Sequence, residues 1–259
     1  MEVHAHTHTA RKKWTHYFWE FIMLFLAVFC GFLAENQREH IVEHKRANEY
    51  AKSLLNDLRE DTSELRRGIH QTKFIMSSID SLVSIASSMK INETVPGIFY
   101  YYSKFTFNGF RIDWSKSTID QLIQSGNLRY FRNKDLVGAI NVYYYMQGII
   151  TSQNQSDFTH RDKIMESRNR ILQSRYYSIF AQLKIVNEEY GHIPSPQIDS
   201  LMNMPLPLQK GAATYIDEFI NYITDRKWRL NSIVEIIYPR ANEIALDIIN
   251  MLIKEYYLK

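Results

Sequence analysis

Three groups of residues have types and spacings that could do chemistry. The first is "HIVEH", His40 to His44, which matches the HxxEH pattern of inverted zinc peptidases. On a helix, His40 and His44 share a face and could hold a metal, with Glu43 as general base. A metal-dependent hydrolase using His40, Glu43 and His44 is therefore the alternative reading of this chain. No third ligand stands at a recognisable spacing, and the motif lies one or two turns beyond the apolar run at the foot of a heptad helix, with His44 on its seam. The second group is the tail "HAHTHTARKKWTH". There His4, His6 and His8 alternate and would point the same way in an extended chain, as ligands for a soft transition metal or simply as a solvated tail. The third is Arg161, Arg168 and Arg175, seven apart and so on one stripe of a helix. They read either as an anion-binding groove or as partners for acids on a neighbouring helix. No Gly-rich phosphate loop, no Ser-His-Asp set and no CxxC is present, and no cofactor is expected.

These residues must be positioned by helices. The 259 residues hold only 9 glycines and 6 prolines, too few for a strand-and-turn fold. A net charge of +3 with no concentrated basic face excludes a nucleic-acid footprint. Aromatic residues are 14% of the chain, which argues against disorder. The single cysteine, Cys30, excludes an internal disulfide and a cysteine zinc site.

Cys30 lies in "YFWEFIMLFLAVFCGFLAENQREH", whose uncharged run Phe21–Ala34 is 14 residues long. Cleavage as a signal peptide after Ala34 would put Phe32 where a small residue is needed, and Phe29 precedes Cys30 where a lipoprotein signal also needs one. Counting from Trp14 to Ala34 gives roughly 31 Å of helix, about one hydrocarbon thickness. Trp14, Tyr17 and Trp19 suit an interface, Arg11, Lys12 and Lys13 lie just outside it, and Glu20 can pair with His16. Residues 14–34 are therefore expected to be an uncleaved span after a 1–13 tail. The density of Arg11–Lys13 leans toward a cytoplasmic N-terminus, with residues 35–259 outside. Ala27 with Gly31, and Cys30 with Ala34, are small-residue pairs that would let two spans pack closely in a homo-oligomer.

Beyond the span the chain reads as three long heptad helices. The first frame is Ala51, Leu55, Leu58, Thr62, Leu65, Ile69, Thr72, Met76, Ile79, Val83, Ala86. The second starts from an N-cap at Asn133 after a stop at Gly126 and runs from Val137, Ile140, Tyr144 and Gln147 through Arg161 and Arg168 to Ile179. The third runs from Ile216, Ile220 and Ile223 through Lys227, Leu230 and Val234 to Met251, with Pro239 predicting a bend or break. An irregular connector, residues 184–208, holds four prolines and a short helix at Gln197–Asn203. The expected fold is all-α: a transmembrane helix continuing into an elongated bundle (35–259) of three long antiparallel helices about 75 Å in length. If helix two returns along helix one, Arg161 falls near Asp61 or Glu64, Arg168 near Asp57 and Arg175 near Glu49.

The most aromatic stretch is "GIFYYYSKFTFNGFRIDW", with Phe99, Tyr100, Tyr101, Tyr102, Phe105, Phe107, Phe110 and Trp114 among its 18 residues. In that topology residues 91–133 form a distal tip, and its rings either plug the bundle or present a binding surface. The expected function is a membrane-anchored structural or interaction module that binds an envelope protein or a ligand through Tyr100, Tyr101, Tyr102, Phe105, Phe107, Phe110 and Trp114.

The segment "HTHTARKKWTHYFWEFIMLFLAVFCGFLAENQREH" resembles the N-terminal signature of an uncharacterised family of bacterial single-pass membrane proteins. "STIDQLIQSGNLRYFRN", followed by "INVYYY", resembles a segment of related helical membrane proteins. The likeness covers the first 40 residues and about 30 more. It implies an anchored helical protein in the bacterial inner membrane, and it brings no catalytic residues with it.

Overall fold

A computed structural model describes residues 14–89, 93–181 and 196–258. The fold is all-α with a long N-terminal helix, α1 (Trp14–Ser88). Next come β1 (Thr94–Pro96), α2 (Gly97–Phe105), α3 (Ser117–Gln124), a 3₁₀ turn (Asn127–Tyr130), α4 (Lys134–Ile171) and α5 (Ser174–Ala181). The chain ends with α6 (Pro196–Asn203), β2 (Pro205–Pro207), α7 (Ala213–Ser232), a π turn (Ile233–Ile237) and α8 (Tyr238–Tyr256). Two compact units divide it at Tyr50 and Ala51.

In the first unit, α1 is apolar on every side from Phe21 to Ala34, and those side chains are almost all exposed. It is the one helix among the described residues long and apolar enough to cross a membrane. His16 Nε2 lies 3.2 Å from Glu20 Oε1, the expected pair.

In the second unit, helix ends form where their residues demand. Asn133 caps α4 by accepting from the amides of Asp135 (3.0 Å) and Leu136 (3.2 Å). Gly126 takes the left-handed conformation, φ 68°, that stops α3. Pro239 has no N–H to continue the helical ladder, and the turn before it widens: Tyr238 N bonds Ile233 O, five residues back. The antiparallel ladder pairs Thr94 with Pro207, Val95 with Leu206 and Pro96 with Pro205. Gly97 lets α2 cross α6, since a Cβ there would sit 2.0 Å from Leu201 O.

The heptad period holds in all three helices, with a corrected frame. The buried stripe of α1 is Ala47, Ala51, Leu54, Leu58, Asp61, Leu65, Gly68, Thr72, Ile75, Ile79 and Leu82. Every second predicted position (Ala51, Leu58, Leu65, Thr72, Ile79) is on it. Of the alternate ones, Leu55 and Thr62 are buried beside Leu54 and Asp61, while Ile69, Met76 and Val83 are half-buried and the interior place there falls one residue earlier. The same shift moves α4 from Tyr144 to Tyr143 and α7 from Ile220 to Phe219. The displaced positions include Asp61, Gly68, Asp157 and Arg226, which a search for apolar residues passes over. Within the π turn both Ile233 and Val234 are buried, and the stripe steps by one more residue to continue through Tyr238, Ala241, Ala245, Ile248 and Leu252, with Ile244 buried beside it.

Helix directions also differ from the expected order. Tyr238 of α8 bonds Asn154 of α4 (3.2 Å) and lies against Gly68 of α1. Further along, Lys227 of α7 meets Asp80 of α1, while Arg226 meets Asp157 of α4. Thus α7 and α8 run antiparallel to both neighbours, and α1 and α4 run parallel to each other. The return leg is not helix two but an irregular segment, residues 106–116. It passes from Phe105 against Phe74, through Phe110 against Gly68, to Ser115, whose amide donates to Asp61. Of the described residues within 91–133, β1 and α2 lie toward the Ser88 end of α1, while Thr118 is back at Asp57.

Candidate cleft between the return segment and α4

The return segment is pinned by charges. Arg226, fully buried, donates from Nε to Asp157 Oδ1 (2.8 Å) and from Nη2 to Asp157 Oδ2 (2.8 Å). It also donates to the carbonyls of Thr106 and Asn108. This bidentate pair with two extra acceptors ties α7, α4 and the return segment together, and fork-to-carboxylate geometry makes such bonds strong. Arg161 Nε lies 3.4 Å from the same Asp157 Oδ2 without the angle for a hydrogen bond. Its Nη1 makes a long bond to Phe107 O, 3.3 Å, and its guanidinium stacks on Phe158 at 5.0 Å. Burial pulls the Arg161 guanidinium down from the ordinary arginine range; Asp157 acts the other way, and Arg226 adds to the fall. Gly109 permits the approach, since a Cβ there would come within 2.7 Å of Arg161 Nη1.

Beside this cluster opens a cleft of about 440 Å³, with Phe110, Trp114 and Phe158 for apolar walls. Arg111, Lys116, Arg161, Asp113 and Asp157 supply its charge, and Thr151, Asn154 and Gln155 add neutral polar groups. Both carboxylate oxygens of Asp157 are engaged by Arg226.

The other arginines lie elsewhere. Arg168 is buried between the rings of Phe107 (4.6 Å) and Tyr177 (4.1 Å) and donates to Asn169 Oδ1 at 2.7 Å. Arg175 bonds Gln173 and stacks on Tyr176. Among the described residues, none of the three pairs with an acid of α1. The expected partners required helix two to run antiparallel to helix one, and it runs parallel.

Asp61 is in the core instead. It accepts from Tyr143 Oη (2.8 Å), Gln147 Nε2 (3.0 Å) and Ser115 N (2.8 Å). Burial raises its carboxyl above the usual aspartate range, against the pull of those three bonds, and Asp57 adds to the rise. Tyr143 is raised as well, by burial and then by Asp61.

The aromatic residues divide. Tyr100, Tyr101 and Phe105 are interior. Tyr100 Oη donates to Pro207 O (2.6 Å) and accepts from Gln173 N (2.9 Å), and Tyr101 packs edge-on against Phe105 and Phe180. Their part is the plug. Tyr102 and Phe107 are half-buried against the core. Phe110 and Trp114 reach the cleft, and Trp114 also packs edge-on to Tyr143. His40 and His44 are exposed on α1, with His40 Nδ1 3.8 Å from Glu43 Oε2. Among the described residues, no group of three or more His, Cys, Asp or Glu side chains is placed to hold a metal. His4, His6 and His8 lie outside the described residues. Ala27 and Gly31 are exposed, and a Cβ on Gly31 would meet nothing within 4 Å.

Sequence reading missed Asp157 and Arg226. The signal available was a charge of each sign at heptad-compatible positions of two different helices, Asp157 three residues after Asn154 and Arg226 three after Ile223. Comparisons with family models, with curated proteins and with solved structures find no match.

Proposed function

We propose that this chain is a membrane-anchored helical module that binds a small ligand or a segment of an envelope protein in the cleft between residues 110–116 and α4. The observation that carries it is the apolar stretch of α1, which has none of its most hydrophobic 18-residue window buried. An apolar all-round helix needs protein or lipid around it. Protein does not cover it in this chain, so lipid is the fitting solvent. The span is residues 14–34, single-pass, in the bacterial inner membrane with the N-terminus inside and residues 35–259 outside. What supports the orientation is the dense Arg11–Lys13 border. Pairs of spans associate through Ala27 and Gly31, small residues exposed on the helix surface.

Membranes from cells making the full chain are washed at alkaline carbonate and pelleted, with a C-terminal reporter active only outside the cytoplasm. The protein is expected in the pellet and the reporter active. Recovery of the chain in the supernatant would sink the anchor, and an inactive reporter would reverse the orientation.

A further inference from the structure

The cleft's chemistry narrows its ligand, an inference that rests on the binding role proposed above. Four basic side chains, Arg111, Lys116, Arg161 and Arg226, stand at or directly behind its wall, against two acids, Asp113 and Asp157. Among the described residues, no ion pair ties down Arg111 or Lys116. Asp157 is shared: Arg226 takes both its oxygens, and Arg161 is left with a 3.4 Å approach at a poor angle and one long bond to a carbonyl. Arg161 is therefore a half-buried cation whose one carboxylate at ion-pair distance among the described residues, Asp157, already belongs to a better-placed guanidinium, with Asp162 acting on it only at longer range. An anion entering the cleft would meet this charge without first breaking a strong pair. Guanidinium is also the side chain whose planar fork best matches carboxylate-like oxygens.

The remaining wall is flat and apolar. Phe110, Trp114 and Phe158 line the same cleft, and Phe158 already carries the Arg161 guanidinium on its face. The volume, about 440 Å³, is in the range of small-molecule sites. We infer that the cleft binds a small organic anion with a flat, aromatic or unsaturated body, its charged end toward Arg161 and its ring among Phe110, Trp114 and Phe158. A lone inorganic anion would leave the rings unused, and a neutral ring would leave the cation unanswered.

The test uses the full chain in phosphatidylcholine nanodiscs, which carry no net lipid charge, and reads binding by calorimetry. The probes are 2-naphthoate, its neutral counterpart 2-naphthalenemethanol, and inorganic phosphate. Naphthoate is expected to bind on the order of tenfold tighter than the alcohol, the discrimination of one charge-assisted contact, with phosphate weaker still. Arg161→Gln should bring naphthoate and alcohol to parity. If that variant loses its fold, the rim variant Arg111→Gln/Lys116→Gln must narrow the gap by itself, since neither side chain is buried. Equal binding of acid and alcohol, or a gap that survives these variants, overturns the anionic assignment while leaving the cleft as a binding site. Phosphate competing as well as naphthoate overturns the aromatic half. No binding of any probe overturns the cleft reading as well, but not the membrane anchor, which the carbonate wash tests alone.

Discussion

Asp157 and Asp61 are the same residue type at equivalent places, one on the buried stripe of α4 and one on that of α1, yet their surroundings are opposite. Asp157 has a fully buried guanidinium across both oxygens and a second one nearby. Asp61 has three donors, none of them charged, and a like charge in Asp57. The first is one arm of a cross-link between α4, α7 and the return segment. The second is a lone carboxylate whose ionisation the fold resists. An acid turned toward the core is therefore defined by its partner, and the two should differ in how much a lost partner costs and in how they respond to pH.

The largest effect is expected at the paired site. Arg226→Met strands the Asp157 carboxylate and two backbone carbonyls, and should cost about 3–5 kcal/mol. Denaturant unfolding of the full chain in detergent would measure it. Adding Asp157→Leu should restore much of that loss, because a matched apolar pair leaves no charge behind. A single variant that loses less than about 1 kcal/mol would break the comparison at its stronger end. At the lone acid, Tyr143→Phe removes one of three donors and fills the same space. A loss of about 1.5–3 kcal/mol is expected, the range for bonds to a charged group. A value near zero would mean that Asp61 is held protonated whether or not Tyr143 donates.

Arg168 sharpens the contrast from the cationic side. It is buried too, and burial pulls it below the ordinary arginine range while the Tyr177 hydroxyl opposes the fall. It faces aromatic rings and no carboxylate, so Arg168→Met leaves no stranded charge. The expected loss is about 1 kcal/mol, near that of a cation–π contact. A loss equal to that of Arg226→Met would show that carboxylate pairing is not what distinguishes the two arginines.

The same three charged positions explain how far the sequence could be read. Heptad period, Asn133 as a cap, Gly126 as a stop and the disturbance before Pro239 are local properties of chain chemistry, and all stand. The period places Ile69, Phe158 and Lys227 on the seam, but Gly68, Asp157 and Arg226 stand further inside, one residue earlier, and none of the three is a residue that an apolar pattern would pick; Leu55 and Thr62 are buried as the period requires, with Leu54 and Asp61 beside them. The parallel run of α1 and α4 was not legible, because it depends on residues 106–116 carrying the chain back in irregular form, with no period to detect. The pairing of Arg161, Arg168 and Arg175 with α1 failed for that reason alone. Of the cleft, Phe110, Trp114 and Arg161 were visible as unusual residues. Their convergence depended on the return path, and Asp157 and Arg226 drew no notice.

The smallest and most diagnostic effect is the pH response of Asp61→Asn. The carboxyl of Asp61 is raised in the folded chain, so the folded state holds its proton more tightly than the unfolded state does. Its contribution to stability is then greatest below the ordinary aspartate value of about 3.9 and declines as pH rises through that value toward the raised one. Asparagine cannot ionise and escapes this decline. Its carbonyl can still accept from Tyr143 and Gln147, but an amide group set against the Ser115 N–H loses that bond at a pH-independent cost of about 1 kcal/mol. The melting temperature of the variant should therefore start at or below that of the parent near pH 4 and gain on it steadily toward neutrality. A difference that stays flat across that range, or moves the other way, would mean that Asp61 is no lone charge and that its three neutral donors serve it as well as Arg226 serves Asp157.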